Sequence, residues 1–509
     1  MNIAFEPPLV VGDLSSPTWH ERAVARNHDA ANAALEAVCG ALMAEAAYER
    51  VLLRAAAGAG KSHTLKHMVG EVLKRPLCRR VGITAFANKQ IFPLAGDLGR
   101  ALGKGRVCLY VSKGKAGDVG ASVRDDVTVV SSIKEIPTSV EVLVATSHML
   151  GRVGSQIFKH LGPGDDGKKL FDVLFVDEAW QLPLYLYRDI DHLARVDVGV
   201  GDVGQLPPLD PGENPWRGDP GYNPYRAWPT DFDRDRRTWS VELPAVWRPR
   251  IEQLALWRAF YPEWDNLDSV AGPGDRSVDV EPLADVAAQV WAAVASGVPT
   301  LVEVEGLPDP EAPDVDTPLL GIVEEWLDEL FGAGFTVRAA RYSEAGMPDG
   351  MTDVELVKPA ADPLVAVLAT RNQAVDDATA MVARLIEKHD LTDGAVVAST
   401  VDSWQGQTNA ITVAIHPLSG ASQLDEFNSA FGRLAVTCTR ATHGLLLVSR
   451  ARLDELLDHA AARPGTPFGE PGNRRLPRQT HQRILQAFQR AHINVSATHE
   501  TTDPRSLDE

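Results

Sequence analysis

Short apolar runs recur along the chain, separated by longer stretches with helical spacing. RVGITAF (80–86), VLVATS (142–147), DVLFVDEA (172–179) and RVDVGVGD (195–202) form a first series, and LVAVLAT (364–370), AVVAST (395–400), AITVAI (410–415) and GLLLVS (444–449) form a second. Strands that are apolar on both faces and alternate with helices predict parallel sheets covered on each side. Between the two series lie a Pro/Gly/Trp-rich stretch at 206–249 and an acidic segment. The pattern therefore predicts two α/β domains in tandem, with a polar, weakly determined insertion early in the second. Neither an internal repeat nor a low-complexity tract interrupts it.

Composition narrows this reading. The 509 residues allow two to four domains, and 44% apolar with 23% charged residues is usual for a globular protein in water. No apolar run reaches about 18 residues, so no membrane span is expected. The N-terminal MNIAFEPPLVVGDLSS lacks the early positive charge of a secretory signal. Four cysteines without metal spacing (Cys39, Cys78, Cys108, Cys438) point to a reducing, cytoplasmic setting.

The net charge of −19 argues at first against a nucleic-acid partner. Most of it sits between Ser277 and Val337, where 13 acids stand without a Lys or Arg. Basic residues gather elsewhere: Arg100, Lys104, Arg106, Lys113 and Lys115, then Arg474, Arg475, Arg478, Arg483 and Arg490. A solvated surface explains each cluster as well as nucleic acid does.

Candidate chemistry begins after the strand-like VLLR (51–54). AAAGAGKSHT (55–64) fits a phosphate-binding loop, Ala57-Gly58-Ala59-Gly60-Lys61-Ser62-His63, with Ala55 where the consensus starts with Gly. Small residues let successive amides curl around phosphate oxygens at the positive end of a helix. Lys61 would reach the β- and γ-phosphates of ATP and Ser62 would ligate Mg²⁺. A Gly/Ala turn with a chance lysine is the plainer alternative. In FDVLFVDEAWQLP (171–183), four apolar residues lead into Asp177-Glu178 at a strand's end, the place for a Mg²⁺ carboxylate and a water-activating base. VGVGDVGQLPP (198–208) then aims Asp202 and Gln205 from another strand tip, locked by two prolines. Gln205 would touch the γ-phosphate or the attacking water; an Asx-type turn is the alternative there.

GAGKS, VDEAWQ and GDVGQLPP resemble motifs I, II and III of superfamily 1 helicases. LPAVWRPR (243–250) resembles motif IV, STVDSWQGQTNAITV (399–413) motif V and GRLAVTCTRATHGLLLV (432–448) motif VI. The ordered set covers roughly residues 25–455, and the ending of motif III points to the Upf/Dna-replication-helicase branch. The resemblance implies two RecA-like P-loop NTPase domains at 25–242 and 243–460, with an N-terminal extension at 1–24. It also leaves an acidic insertion at about 270–337 and a basic tail at 461–509.

The roles implied are specific. Lys61 and Ser62 hold phosphate and Mg²⁺, Asp177 the Mg²⁺, Glu178 acts as base and Gln205 senses the γ-phosphate. Arg248 and Arg440 become arginine fingers. Thr84, Asn88, Thr146, Thr400 and Gln405 become nucleic-acid contacts, with ordinary strand-end capping as the alternative for each. Trp180 and Trp404 read as core rather than stacking platforms.

Some positions depart from the family. No adenine-reading glutamine precedes the phosphate loop, where Asn27 or Asn32 could substitute, and Thr408 replaces the ribose-contacting glutamate of motif V. About fifty residues separate TAFANK (84–89) from the strand at 142, which suits a small hairpin or helical insertion rather than a full accessory barrel. The resemblance implies an ATP-dependent helicase or translocase on single-stranded DNA or RNA, moving 5′-to-3′. The alternative is an ATPase switch of the same fold that clamps nucleic acid or a partner protein without unwinding. A protein partner would dock through the acidic insertion or the basic tail.

Overall fold

A computed structural model describes residues 3–10, 18–204, 206–208, 214–216, 221–264, 267–312, 315–355, 362–370, 372–425, 428, 431–461 and 477–495. The chain divides into two compact units. One holds the described residues from Ala25 to Pro244, the other those up to Val24 and from Ala245 onward.

In the first unit eight strands form one sheet: β1 (Arg50–Ala55), β2 (Val81–Thr84), β3 (Val107–Tyr110), β4 (Thr128–Val130), β5 (Val142–Val144), β6 (Phe171–Asp177), β7 (Ala194–Gly201) and β8 (Thr238–Leu243). Their order is β4-β3-β5-β2-β6-β7-β1-β8 and every pairing is parallel. The apolar runs are explained by burial on both faces: all seven residues of β6 are buried. The helix Lys61–Leu73 buries Thr64, Leu65, Met68, Val69 and Val72, a stripe at helical spacing. Residues 88–142 do not form a hairpin: they supply a helix, Asn88–Leu102, and then extend the sheet by β3 and β4.

Strand β7 lies between β1 and β6. Its Val200 pairs with Leu53 on one side and with Asp177 on the other, so the C-terminal tips of the three strands stand side by side. This is where an open parallel sheet binds its ligand.

The second unit carries a six-stranded parallel sheet in the order Val396–Thr400, Val365–Ala369, Asn409–Ile415, Ala441–Arg450, Thr300–Glu305, Gln489–Asn494. Both units are thus α/β with parallel sheets flanked by helices, the RecA-like class expected. A three-stranded antiparallel sheet (Arg276–Val280, Phe335–Tyr342, Pro348–Glu355) accompanies the second.

Two expectations are corrected here. The acidic stretch is no weakly determined insertion. Its Thr300–Glu305 strand sits inside the sheet, and the helices Asp285–Ala295 and Thr317–Ala333 bury Val290, Trp291, Leu319, Val323, Trp326, Leu327 and Leu330 in the unit's core. The described part of the basic tail is likewise integral. Gln489–Asn494 closes the sheet edge, and Arg490 pairs with Glu303, which is almost wholly buried, and with Asp454. Burying Glu303 needs that cation close by.

Candidate active site

The loop after β1 turns on Gly58 (φ 72°) and Gly60 (φ 90°), left-handed conformations that residues with a Cβ rarely adopt. Ala57 before Gly58 and Ala59 between the two glycines are both buried, and the helix Lys61–Leu73 starts directly after Gly60, with the positive end of its dipole at the loop. Ser62 and His63 are exposed on its first turn. Asn27, 6% exposed, donates its side-chain amide to the Ala59 carbonyl at 3.3 Å. It therefore braces the glycine-rich loop, a contact that the sequence does not announce for a residue placed to read a base.

Across from the loop stand the carboxylates. Lys61 Nζ lies 3.6 Å from Glu178 Oε1 and 3.8 Å from Asp202 Oδ2. Asp202 also accepts the Gly204 amide at 2.8 Å, so the Asx turn foreseen as an alternative does form, and the same side chain faces the lysine. Gln205 lies outside the described residues. Asp177 ends β6 and is 7% exposed; burial first, then the neighbouring Glu178 charge, pushes its carboxyl up to about 7 against the opposing pull of Lys61.

The turn carrying Glu178 is held tightly. Glu178 itself is left-handed, at φ 49°. A Cβ on Gly201 at the tip of β7 would come within 2.8 Å of the Ala179 nitrogen and of a Trp180 ring carbon. Glycine at 201 is what lets β7 pass the acid turn. Glu178 Oε2 in turn accepts the Gln181 side-chain amide at 3.1 Å.

The donor set suits a magnesium–nucleotide. Among the described residues no cluster of three His, Cys, Asp or Glu could hold a metal alone. A Mg²⁺ ion prefers one or two protein oxygens and completes its shell with phosphates and water. The Ser62 hydroxyl and the Asp177 carboxylate would be the protein oxygens for that arrangement, and a divalent cation there would favour the ionised form of Asp177 despite its burial.

Residues nominated for nucleic acid fare differently. Thr84 is wholly buried at the end of β2, so it presents no hydroxyl to a ligand, a correction that follows from its covered strand position. Thr146 accepts the Met149 amide at 3.4 Å and caps the helix Ser147–Leu161. Thr400 accepts the Ser403 amide at 3.0 Å. Both follow the capping alternative. Asn88 opens the helix Asn88–Leu102 and is half-buried, as is Gln405. Trp180 packs on the first unit's core, and the Trp404 indole donates to Asn409 Oδ1 at 3.0 Å.

In the second unit Arg440 is 1% exposed. Its guanidinium donates to the carbonyls of Val436 at 3.2 Å and Gln407 at 3.4 Å, and to the Thr439 hydroxyl at 3.0 Å. Arg248 donates to the Thr439 carbonyl at 3.0 Å and to Thr408 Oγ1 at 3.1 Å. Thr408 is the position where motif V departs from the family, so that departure is matched by a bond to the motif IV arginine.

No protein-family model matches the chain, and no curated protein matches it. Several solved structures are similar to it. The PRRSV helicase is 16% identical with a TM-score of 0.37, over 82% of this chain and 56% of that one. The arterivirus nonstructural protein 10 helicase, solved with DNA, is 15% identical with a TM-score of 0.36, over 83% and 64%. The DUF1998 helicase MrfA, solved bound to DNA, is 10% identical with a TM-score of 0.43, over 89% and 51%. The chain spans between about half and two thirds of the length of these proteins. At TM-scores below 0.5 these likenesses assign no activity to the chain.

Two participants escaped the sequence reading. The sequence shows Asp202 as a carboxylate aimed from a strand tip without assigning it a role, and shows Gln181 only as part of a motif. The available signal for Gln181 was its place three residues after Glu178, one turn away.

Proposed function

We propose that the chain is an ATP-dependent motor of the superfamily 1 helicase type, acting on single-stranded nucleic acid with 5′-to-3′ polarity. One observation carries the reading. Lys61, next to a loop with two left-handed glycines, faces carboxylates presented by the tips of β6 and β7. That combination has little use in a core and a direct one in phosphoryl transfer.

The roles follow from position. The loop amides and Lys61 bind the β- and γ-phosphates, exchanging the lysine's carboxylate neighbours for phosphate oxygens. Ser62 and Asp177 hold Mg²⁺, which when bound neutralises charge on the phosphates. Glu178, whose side chain is 17% exposed, takes the proton of the attacking water. Gln205, Arg248 and Arg440 enter the proposal on the motif resemblance. Asn88 and Gln405 remain the candidates for nucleic-acid contact.

The test is phosphate release from Mg·ATP by the purified protein, alone and with single-stranded DNA or RNA, followed by strand separation on duplexes tailed at 5′ or 3′. Stimulated hydrolysis with separation of the 5′-tailed duplex supports the reading. Hydrolysis without separation supports the clamp, and no hydrolysis overturns both.

A further inference from the structure

Beneath the acid pair runs a chain of amides that the reading above does not use. The Ala87 backbone N–H donates to Gln90 Oε1 at 2.9 Å, Gln90 Nε2 donates to Gln181 Oε1 at 2.9 Å, and Gln181 Nε2 donates to Glu178 Oε2 at 3.1 Å. Both ends have a fixed polarity. A backbone N–H can only donate and a carboxylate can only accept. The two intervening side-chain amides can satisfy both ends in one orientation only, so their direction follows from chemistry rather than from assignment. Every dipole in the row then points its positive end toward Glu178, and such rows strengthen one another.

The row also connects two places that matter. Ala87 precedes the helix Asn88–Leu102, in the loop that leaves β2, and β2 pairs directly with β6, which carries the acids. Glu178 sits on a left-handed turn, where side-chain direction depends on local support. Its other oxygen faces Lys61, a partner that nucleotide phosphates would claim. The Gln181 amide is then the neighbour that keeps the carboxylate aimed.

We propose that Gln181 and Gln90 are positioning residues that tie the Glu178 carboxylate to the loop between β2 and the helix Asn88–Leu102. A ligand held at that loop would thereby set how well the base is oriented. The proposal rests on the hydrolytic reading of Glu178 and deepens it.

Two variants separate this relay from a structural role. Gln181→Ala removes the donor to Glu178. Gln90→Glu keeps an acceptor for the Ala87 N–H, and so keeps the helix start, but has no N–H to give Gln181. Gln181→Ala and Gln90→Glu should each lower kcat for ATP hydrolysis about 10- to 100-fold with KM little changed, the scale of a displaced reacting group. Placed on Glu178→Gln, neither should lower the residual single-turnover rate further, because groups that act as one unit are not additive. Stimulation by oligo(dT) should shrink in both single variants, with melting temperature unmoved in Gln90→Glu. Parental kcat in Gln90→Glu, or an undiminished further loss on Glu178→Gln, would overturn the relay while leaving the ATPase reading intact. A parent protein that hydrolyses no ATP would overturn both.

Discussion

Lys61 Nζ stands 3.6 Å from Glu178 Oε1, a distance that joins the phosphate loop to the acid turn although 116 residues of chain separate them. At this spacing the pair is a weak ion contact, and its partners are available for exchange. Lys61→Ala should therefore leave the fold in place, judged by an unchanged far-ultraviolet circular dichroism spectrum, while ATP hydrolysis disappears and nucleotide binding weakens. Hydrolysis at the parental rate would remove the loop from the mechanism.

Gly201→Ala tests the packing that holds the acids. The added Cβ would meet the Ala179 nitrogen at 2.8 Å, so either β7 or the turn must shift. Overpacking of this kind costs roughly 1–3 kcal/mol. We expect a lowered urea midpoint together with a fall in kcat larger than a stability loss alone would produce. Parental kcat in the folded variant would show that the turn's position is not critical.

Arg440→Ala separates two contributions. Losing the guanidinium leaves the Val436 carbonyl and the Thr439 hydroxyl without this donor, at a cost of about 1–3 kcal/mol in stability. If the arginine also serves the phosphoryl, turnover should fall by about 10³ with ATP binding kept. Lysine at 440 should recover little of either, because it lacks the planar fork. Loss of stability with parental turnover would assign Arg440 to structure alone.

A pH dependence arises far from the chemistry. Asp197 in β7 accepts the Tyr187 hydroxyl at 2.6 Å, and burial pushes its carboxyl up to about 8 from the 3.8 of an exposed side chain. Between those values the native state holds a proton that the unfolded chain has released. This group's contribution to stability therefore declines as pH rises from about 4 to about 8. Asp197→Asn should flatten that part of the profile, read as urea midpoints across the range. An unaltered slope would mean that another group sets it.

How much of this was legible depended on what each feature requires of neighbouring residues. The phosphate loop needs consecutive small residues before Lys61, so it is written contiguously. The acid pair needs a buried strand before it, and β6 reads as one. The stretch from Ser277 to Val337 was misread because its charge was counted along the chain. In the folded unit Glu324 pairs with Arg384 and Asp328 with Lys388, cations supplied by the later helix Asn372–His389, and the His389 ring bonds Asp328 as well. The acids occupy the outer face of a helix whose inner face carries Leu319, Val323, Trp326 and Leu330. The basic cluster at 100–115, which the sequence leaves open between a solvated surface and nucleic acid, has acidic neighbours in the fold: Arg100 bonds Asp97 and Asp126, Arg106 bonds Glu141, and Lys115 bonds Asp118. The Gln90–Gln181 bond joins residues far apart in sequence, and no local pattern announces such a pair.

The most direct test of the central claim is a paired measurement on Glu178→Gln: phosphate release from Mg·ATP, and ATP binding on the same preparation. The variant keeps Lys61, Ser62 and Asp177, so it should bind ATP as the parent does. It loses the proton acceptor, so release should slow by about 10²–10⁴. Phosphate release at the parental rate by a variant that binds ATP normally would contradict the assignment of this site as the hydrolytic centre.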